Sequence, residues 1–169
     1  MWHMQVKIGG KEKMGTITKA MSTLEKNQVL VGIPAEKAPR TAAEAKKSGA
    51  KINNAAIGYI HNFGMPSKNI PQRQFLEPGI KNADDAISVR MAKAGQGALD
   101  GKEEEVLNNM NAVGVIAASS VKSKITAGPF VPLGESTLAA RRRRGRTGTK
   151  PLIDTGQLRN SISYVIRAK

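Results

Sequence analysis

"IKNADDAISVRMAKAGQGALDGKEEEVLNNMNAVGVIAASSVKSKITA", residues 80–127, commits the centre of the chain to helix. Ile80, Ala83, Ile87, Met91, Ala94 and Ala98 recur every three or four residues, and so do Leu107, Met110, Gly114, Ala117, Val121 and Ile125. Both stripes have the period of an α-helix with one face turned inward. Between them "ALDGKEEE", residues 98–105, puts acidic side chains in the first turn of the second helix, where the helix dipole favours negative charge. Gly95, Gly97 and Gly114 each lower helix propensity by about 1 kcal/mol relative to alanine, so a close neighbour or local fraying is expected at them.

Working outward, Met14, Ile17, Met21 and Leu24 predict an amphipathic helix over residues 12–26. "QVLVGI", Gln28 to Ile33, is short, β-branched and stopped by Pro34, which predicts a strand. Residues 34–51 have no stable apolar face and are expected to be a mobile excursion. "NNAAIGYIHNFG" predicts a short helix with an asparagine cap, a stripe of Ala56, Ile60 and Phe63, and a left-handed close at Gly64. Pro66, Pro71 and Pro78 then punctuate an extended segment anchored by Ile70, Phe75 and Leu76. After Ala127 regular structure is expected to stop, with a second mobile excursion at 128–150. A short helix near Gly156 to Ser161 and a strand "ISYVIR" close the chain. The expected fold is α+β, a single domain of residues 1–169 with two long helices packed on a small, mostly antiparallel sheet and long basic loops.

Charge narrows the partners. The 169 residues carry 27 basic and 13 acidic side chains, a formal charge of +14. Residues 122–169 alone hold 11 basic against 2 acidic, whereas residues 77–121 are slightly acidic. Such a balance favours polyanions or acidic protein surfaces. There is no cysteine, which removes disulfides and thiolate metal sites, and no apolar run long enough for a membrane span, so a soluble protein without membrane contact is expected.

Asp154-Thr155-Gly156 follows two aliphatic residues, as the catalytic triplet of an aspartic protease does. A protease dyad needs a second carboxylate and chain to enclose the substrate, yet no second triplet exists and only 13 residues follow Gly156. The competing reading is that Asp154 caps a helix starting at Thr155 while Gln157 reaches back. "RRRRGR" contributes Arg141, Arg142, Arg143, Arg144 and Arg146, which with Lys150 are candidates for contact with phosphate or carboxylate. One Trp, two Tyr and three Phe are too few for stacking platforms. His3 and His61 are the only histidines, and no carboxylate cluster or nucleophilic triad accompanies them. "GGKEKMGT" lacks the Gly-Lys-Ser/Thr ending of a phosphate loop.

Two segments carry a resemblance. "AAIGYIHNFGMPSKNIPQRQFLEPGI" resembles the helix, H-x-F-G turn and I-P-x-R-x-F-L entry of the small neck and tail-completion proteins of long-tailed bacteriophages. "LGESTLAARRRRGRTGTKPLIDTGQLRNSI" is similar to the ending of the virion-morphogenesis members of that group. The matching positions are Ile60, His61, Phe63, Gly64, Ile70, Pro71, Arg73, Phe75, Leu76, Thr137, Leu138, Pro151, Leu152, Asp154, Thr155, Gly156, Leu158 and Ser161. Gln74 stands where the group commonly has proline. The resemblance implies a non-enzymatic structural protein of the virion with no cofactor. It would form a hexameric ring with copies of itself at the head–tail junction, against neighbouring neck, connector or tail proteins, with DNA in the channel as a further partner. A basic nucleic-acid-binding protein is the alternative, and a hydrolase comes third.

Overall fold

A computed structural model of the protein describes residues 10–39 and 52–169. They form seven helices and one small antiparallel sheet, an α+β fold. Helix α1 (Gly10–Lys26) runs into strand β1 (Asn27–Gly32). Then come α2 (Asn54–Phe63), α3 (Leu76–Lys81), α4 (Asp84–Leu99) and α5 (Glu103–Ala127). Helices α6 (Glu135–Arg143) and α7 (Gln157–Ser161) precede strand β2 (Ser163–Ala168), which pairs with β1.

The chain divides into two compact units, a finer partition than the one domain read from its length. The first comprises Met1–Leu30, Asp85–Val113 and Ile166–Lys169. Its core is Ala20, Ala98, Val106 and Met110, with Leu24, Val29 and Ile166 packed against them. Glu103 at the start of α5 accepts from Lys19 Nζ at 2.7 Å and from Thr23 Oγ1 at 2.8 Å, which ties α1 to that helix end. The second unit comprises Val31–Asp84 and Gly114–Val165. Phe75, Ala118, Val121, Ile125, Leu152, Leu158 and Ile162 form its core.

The central helices follow the expected pattern most closely on α5, where Met110, Ala117, Val121 and Ile125 are all buried and Val106 takes the inward place expected of Leu107. On α4 only Ala94, Gly97 and Ala98 are buried, while Val89, Met91 and Leu99 face solvent. The stripe expected on α1 is rotated: Met14 and Met21 are exposed, and Ala20 and Leu24 are the residues in the core. Helix α2 is capped as predicted, Asn53 Oδ1 accepting from Ala56 N–H at 2.8 Å. Its inward face, however, is Asn54, Gly58 and Asn62, and Phe63 stands 57% exposed beside Tyr59, their rings 4.8 Å apart. Gly64 closes α2 with φ of 80°, where a β-carbon would lie 3.0 Å from Gln72 N, so both conformation and space require glycine.

Three expectations need revision. Residues 34–39 are ordered, with a 3-10 turn at Ala35–Lys37 and a buried Ala38 whose carbonyl accepts from Asn54 N–H at 2.9 Å; the rest of the excursion expected at 34–51, residues 40–51, lies outside the described residues. The proline-punctuated segment is extended but joins no ladder beyond one Met65–Ile70 bridge around a 3-10 turn. Within 128–150, α6 occupies Glu135–Arg143. Nine residues containing two alanines, a leucine and three arginines have adequate helix propensity, which a search for apolar stripes does not register.

Candidate functional site

The basic run is split by the fold into structural and exposed members. α6 turns Arg141 inward until only 7% of it is exposed, while Arg142, Arg143 and Arg144 remain at the surface. Arg141 Nη1 donates to Gly148 O at 2.7 Å and to Lys150 O at 3.1 Å, and its Nε lies 3.4 Å from Asp154 Oδ1. Arg146 donates from Nη1 to the other carboxylate oxygen, Asp154 Oδ2. One carboxylate thus joins two guanidiniums, and one guanidinium also gathers two carbonyls of the loop 144–150. Burial lowers the pKa of Arg141, Asp154 acts to raise it, and Arg146 acts to lower it.

The cap expected at Asp154 is not what forms. Helix α7 begins at Gln157, two residues later than expected of a helix starting at Thr155, and its N-cap is Gly156 with φ of 79°. Asp154 is therefore an ion-pair acceptor that closes the loop between α6 and α7. Leu152, just before it, sits in the left-handed region with φ of 61° while its side chain is buried in the core. That conformation costs a branched residue about 1 kcal/mol or more and is offset by the burial.

A cleft of about 430 Å³ opens beside this node. Ile57 and His61 of α2 form one wall, Ser136, Thr137, Ala140 and Arg144 belong to α6 and its C-terminal end, and Thr155, Gly156, Gln157 and Leu158 line the remainder. The two distant segments singled out in the sequence thus share one cavity. α2 packs directly on α7, bringing His61 and the Asp154–Leu158 stretch together.

The remaining motif residues build the approach to that wall. Arg73 is buried and donates from Nε to Val131 O at 2.8 Å and from Nη2 to Pro132 O at 2.9 Å, while its own N–H donates to His61 O at 2.8 Å. Burial lowers its pKa. Phe75 is core, Leu76 and Pro71 are half-buried, and Phe63 is at the surface. Asn62, which the sequence reading passed over, accepts from Phe75 N–H and Leu76 N–H, both at 3.2 Å, and so holds the start of α3. Its signal was the four-residue spacing Asn54, Gly58, Asn62, a polar stripe that turns inward where an apolar one was sought.

His61 Nδ1 is buried with no hydrogen-bond partner. Burial first, then the charges of Arg73 and Arg141, lower its pKa to about 4. The folded protein therefore resists protonating His61, whereas the unfolded chain takes up a proton near the ordinary value of about 6.5. Its contribution to stability is complete above that pH and disappears as the pH falls through 4. Between pH 7 and 4 the loss is expected to be about 2–3 kcal/mol. Urea unfolding across that range, compared with His61→Gln, should show a flatter pH dependence for the variant; parallel curves would remove His61 as the cause.

Among the described residues no group of three or more His, Asp or Glu side chains is placed to hold a metal ion, and no helix is long and apolar enough to cross a membrane. No protein-family model, curated protein or solved structure matches the chain.

Proposed function

We propose that the protein is a structural component of a bacteriophage virion, a ring subunit at the head–tail junction needed for joining tail to head. The observation that carries the reading is the meeting of the two resembling segments, with His61 of the first and Asp154 to Leu158 of the second lining one cleft. The exposed apolar side chains add support, because the Tyr59 and Phe63 rings meet at a tilt on the surface and α4 shows Val89 and Met91 to solvent. Exposed large apolar side chains of this kind are what a subunit covers on assembly.

In this reading the contacts between ring neighbours are heterologous and close by rotation, with six copies as the resemblance implies. The exposed arginines of the basic run supply each subunit's polar contact surface. Arg142, Arg143 and Arg144 meet DNA in the channel or an acidic neighbouring ring, whereas Arg141 and Arg146 hold the loop in shape. No chemistry is assigned to the protein. The test is genetic: a stop codon in the gene should yield filled heads and tails that remain unjoined or misfinished in micrographs, and normal joined particles would reject the reading.

A further inference from the structure

We propose that a second, separate cleft binds the phosphodiester backbone of a nucleic acid without reading its sequence. This cleft, of about 570 Å³, is bounded by Lys122, Ser123 and Thr126 on the last turns of α5, by Lys150, and by Arg159 and Asn160 on α7. Three cations, two hydroxyls and an amide face one concavity, and no carboxylate lines it among the described residues. The inference goes beyond the ring reading, since it concerns the isolated chain and uses neither the phage resemblance nor the arginine run.

The chemistry of the lining chooses the ligand. Lys, Arg, Ser, Thr and Asn are the side chains that contact phosphate oxygens, and such contacts fix position without reporting base identity. An acidic protein partner would be expected to find aromatic, Met or other large apolar groups at the centre of its site and a depletion of lysine. Here the only apolar lining residue among the described residues is Ala127. Among the described residues no aromatic side chain lines the cleft either, so unstacked bases find no platform there and a backbone presented by a duplex is favoured.

Local structure prepares the site for an anion. The C-terminal end of α5 carries a partial negative charge that would oppose phosphate. Lys124 Nζ donates to Gly128 O at 2.9 Å and places a positive charge at that end. Arg159 Nη1 lies 3.5 Å from Thr126 Oγ1, whose hydroxyl donates to Lys122 O at 3.0 Å, so the guanidinium is steered toward α5 by a weak contact that a phosphate oxygen could supplement.

The experiment measures binding of the full chain to two short duplex DNAs of unrelated sequence as salt is varied between about 50 and 200 mM. Lys122→Ser, Lys150→Ser and Arg159→Ser are combined in one variant. Lys13→Ser, Lys26→Ser and Lys68→Ser form a control of equal charge loss at exposed positions that do not line the cleft. Both DNAs should bind alike, and the cleft variant should lose about 2.7 from the slope of log K against log salt, with roughly 100-fold weaker binding near 0.1 M salt. The control should change the slope far less. Should Arg159→Ser lower the melting temperature, the Lys122/Lys150 pair alone carries the test, with an expected slope loss of about 1.8. Equal losses in cleft and control variants, an unchanged slope in the cleft variant, or equal competition by poly-glutamate of matched charge would each overturn the proposal.

Discussion

Asp154→Ala should destabilise the protein by about 3 kcal/mol or more, because it leaves two guanidiniums without their shared acceptor. Arg141 and Arg146 have side chains only 8% and 13% exposed, so water replaces the lost carboxylate poorly. A buried ion pair adds little relative to apolar residues of the same shape, but removing one partner leaves the other charge desolvated. Asp154→Asn preserves shape and one oxygen, yet removes the charge, and should still cost about 2 kcal/mol. A helix cap gives a different pattern, with Asn nearly silent and Ala costing about 1 kcal/mol. Denaturant unfolding of both variants distinguishes the two roles. A silent Asn variant would return Asp154 to the capping role read from the sequence.

Gly114→Ala should cost about 3 kcal/mol, against a gain of about 1 kcal/mol that the same change brings in an open helix. A β-carbon at Gly114 would lie 2.1 Å from Tyr164 Cδ2 and 2.4 Å from Cγ, pressed against an aromatic ring that itself packs on the core. A ring offers no flexible end to swing aside, so strand β2 or helix α5 must shift. Gly95→Ala is the internal control, since nothing lies within 4 Å of its would-be β-carbon and only the propensity gain remains. In a Tyr164→Ala background the Gly114→Ala change should become neutral or stabilising. Melting temperatures of the single and double variants read this coupling, and additive effects would mean that the ring is not what requires glycine.

Helix α5 was legible because nearly every position of one stripe is buried, so period and burial coincide. α1 and α2 were found but oriented less well. Met14, Met21 and Phe63 are apolar and exposed, and periodicity cannot separate an inward apolar residue from one at the surface. α6 left no trace in hydrophobicity because its inward residue is an arginine. Which member of the Arg141–Arg146 run turns inward depends on helix phase and on an acceptor eight to thirteen residues downstream, and neither is visible before the loop closes. The sequence marks Asp154 as structural and points to the next helix, but its partners are Arg141 of the preceding helix and Arg146 of the loop that follows it. The basic cleft was scattered over residues 122, 150 and 159, and only the fold gathers it.

The central claim is that this chain joins heads to tails as a structural subunit, and complementation of a null lysate tests it most directly. Purified protein is added to the lysate of a phage whose copy of the gene carries a stop codon, and infectious particles are counted alongside micrographs. The account predicts unjoined filled heads and finished-length tails before addition, and joined infectious particles after it, with no cofactor supplied. Infectious, normally joined particles in the lysate before any protein is added would contradict it.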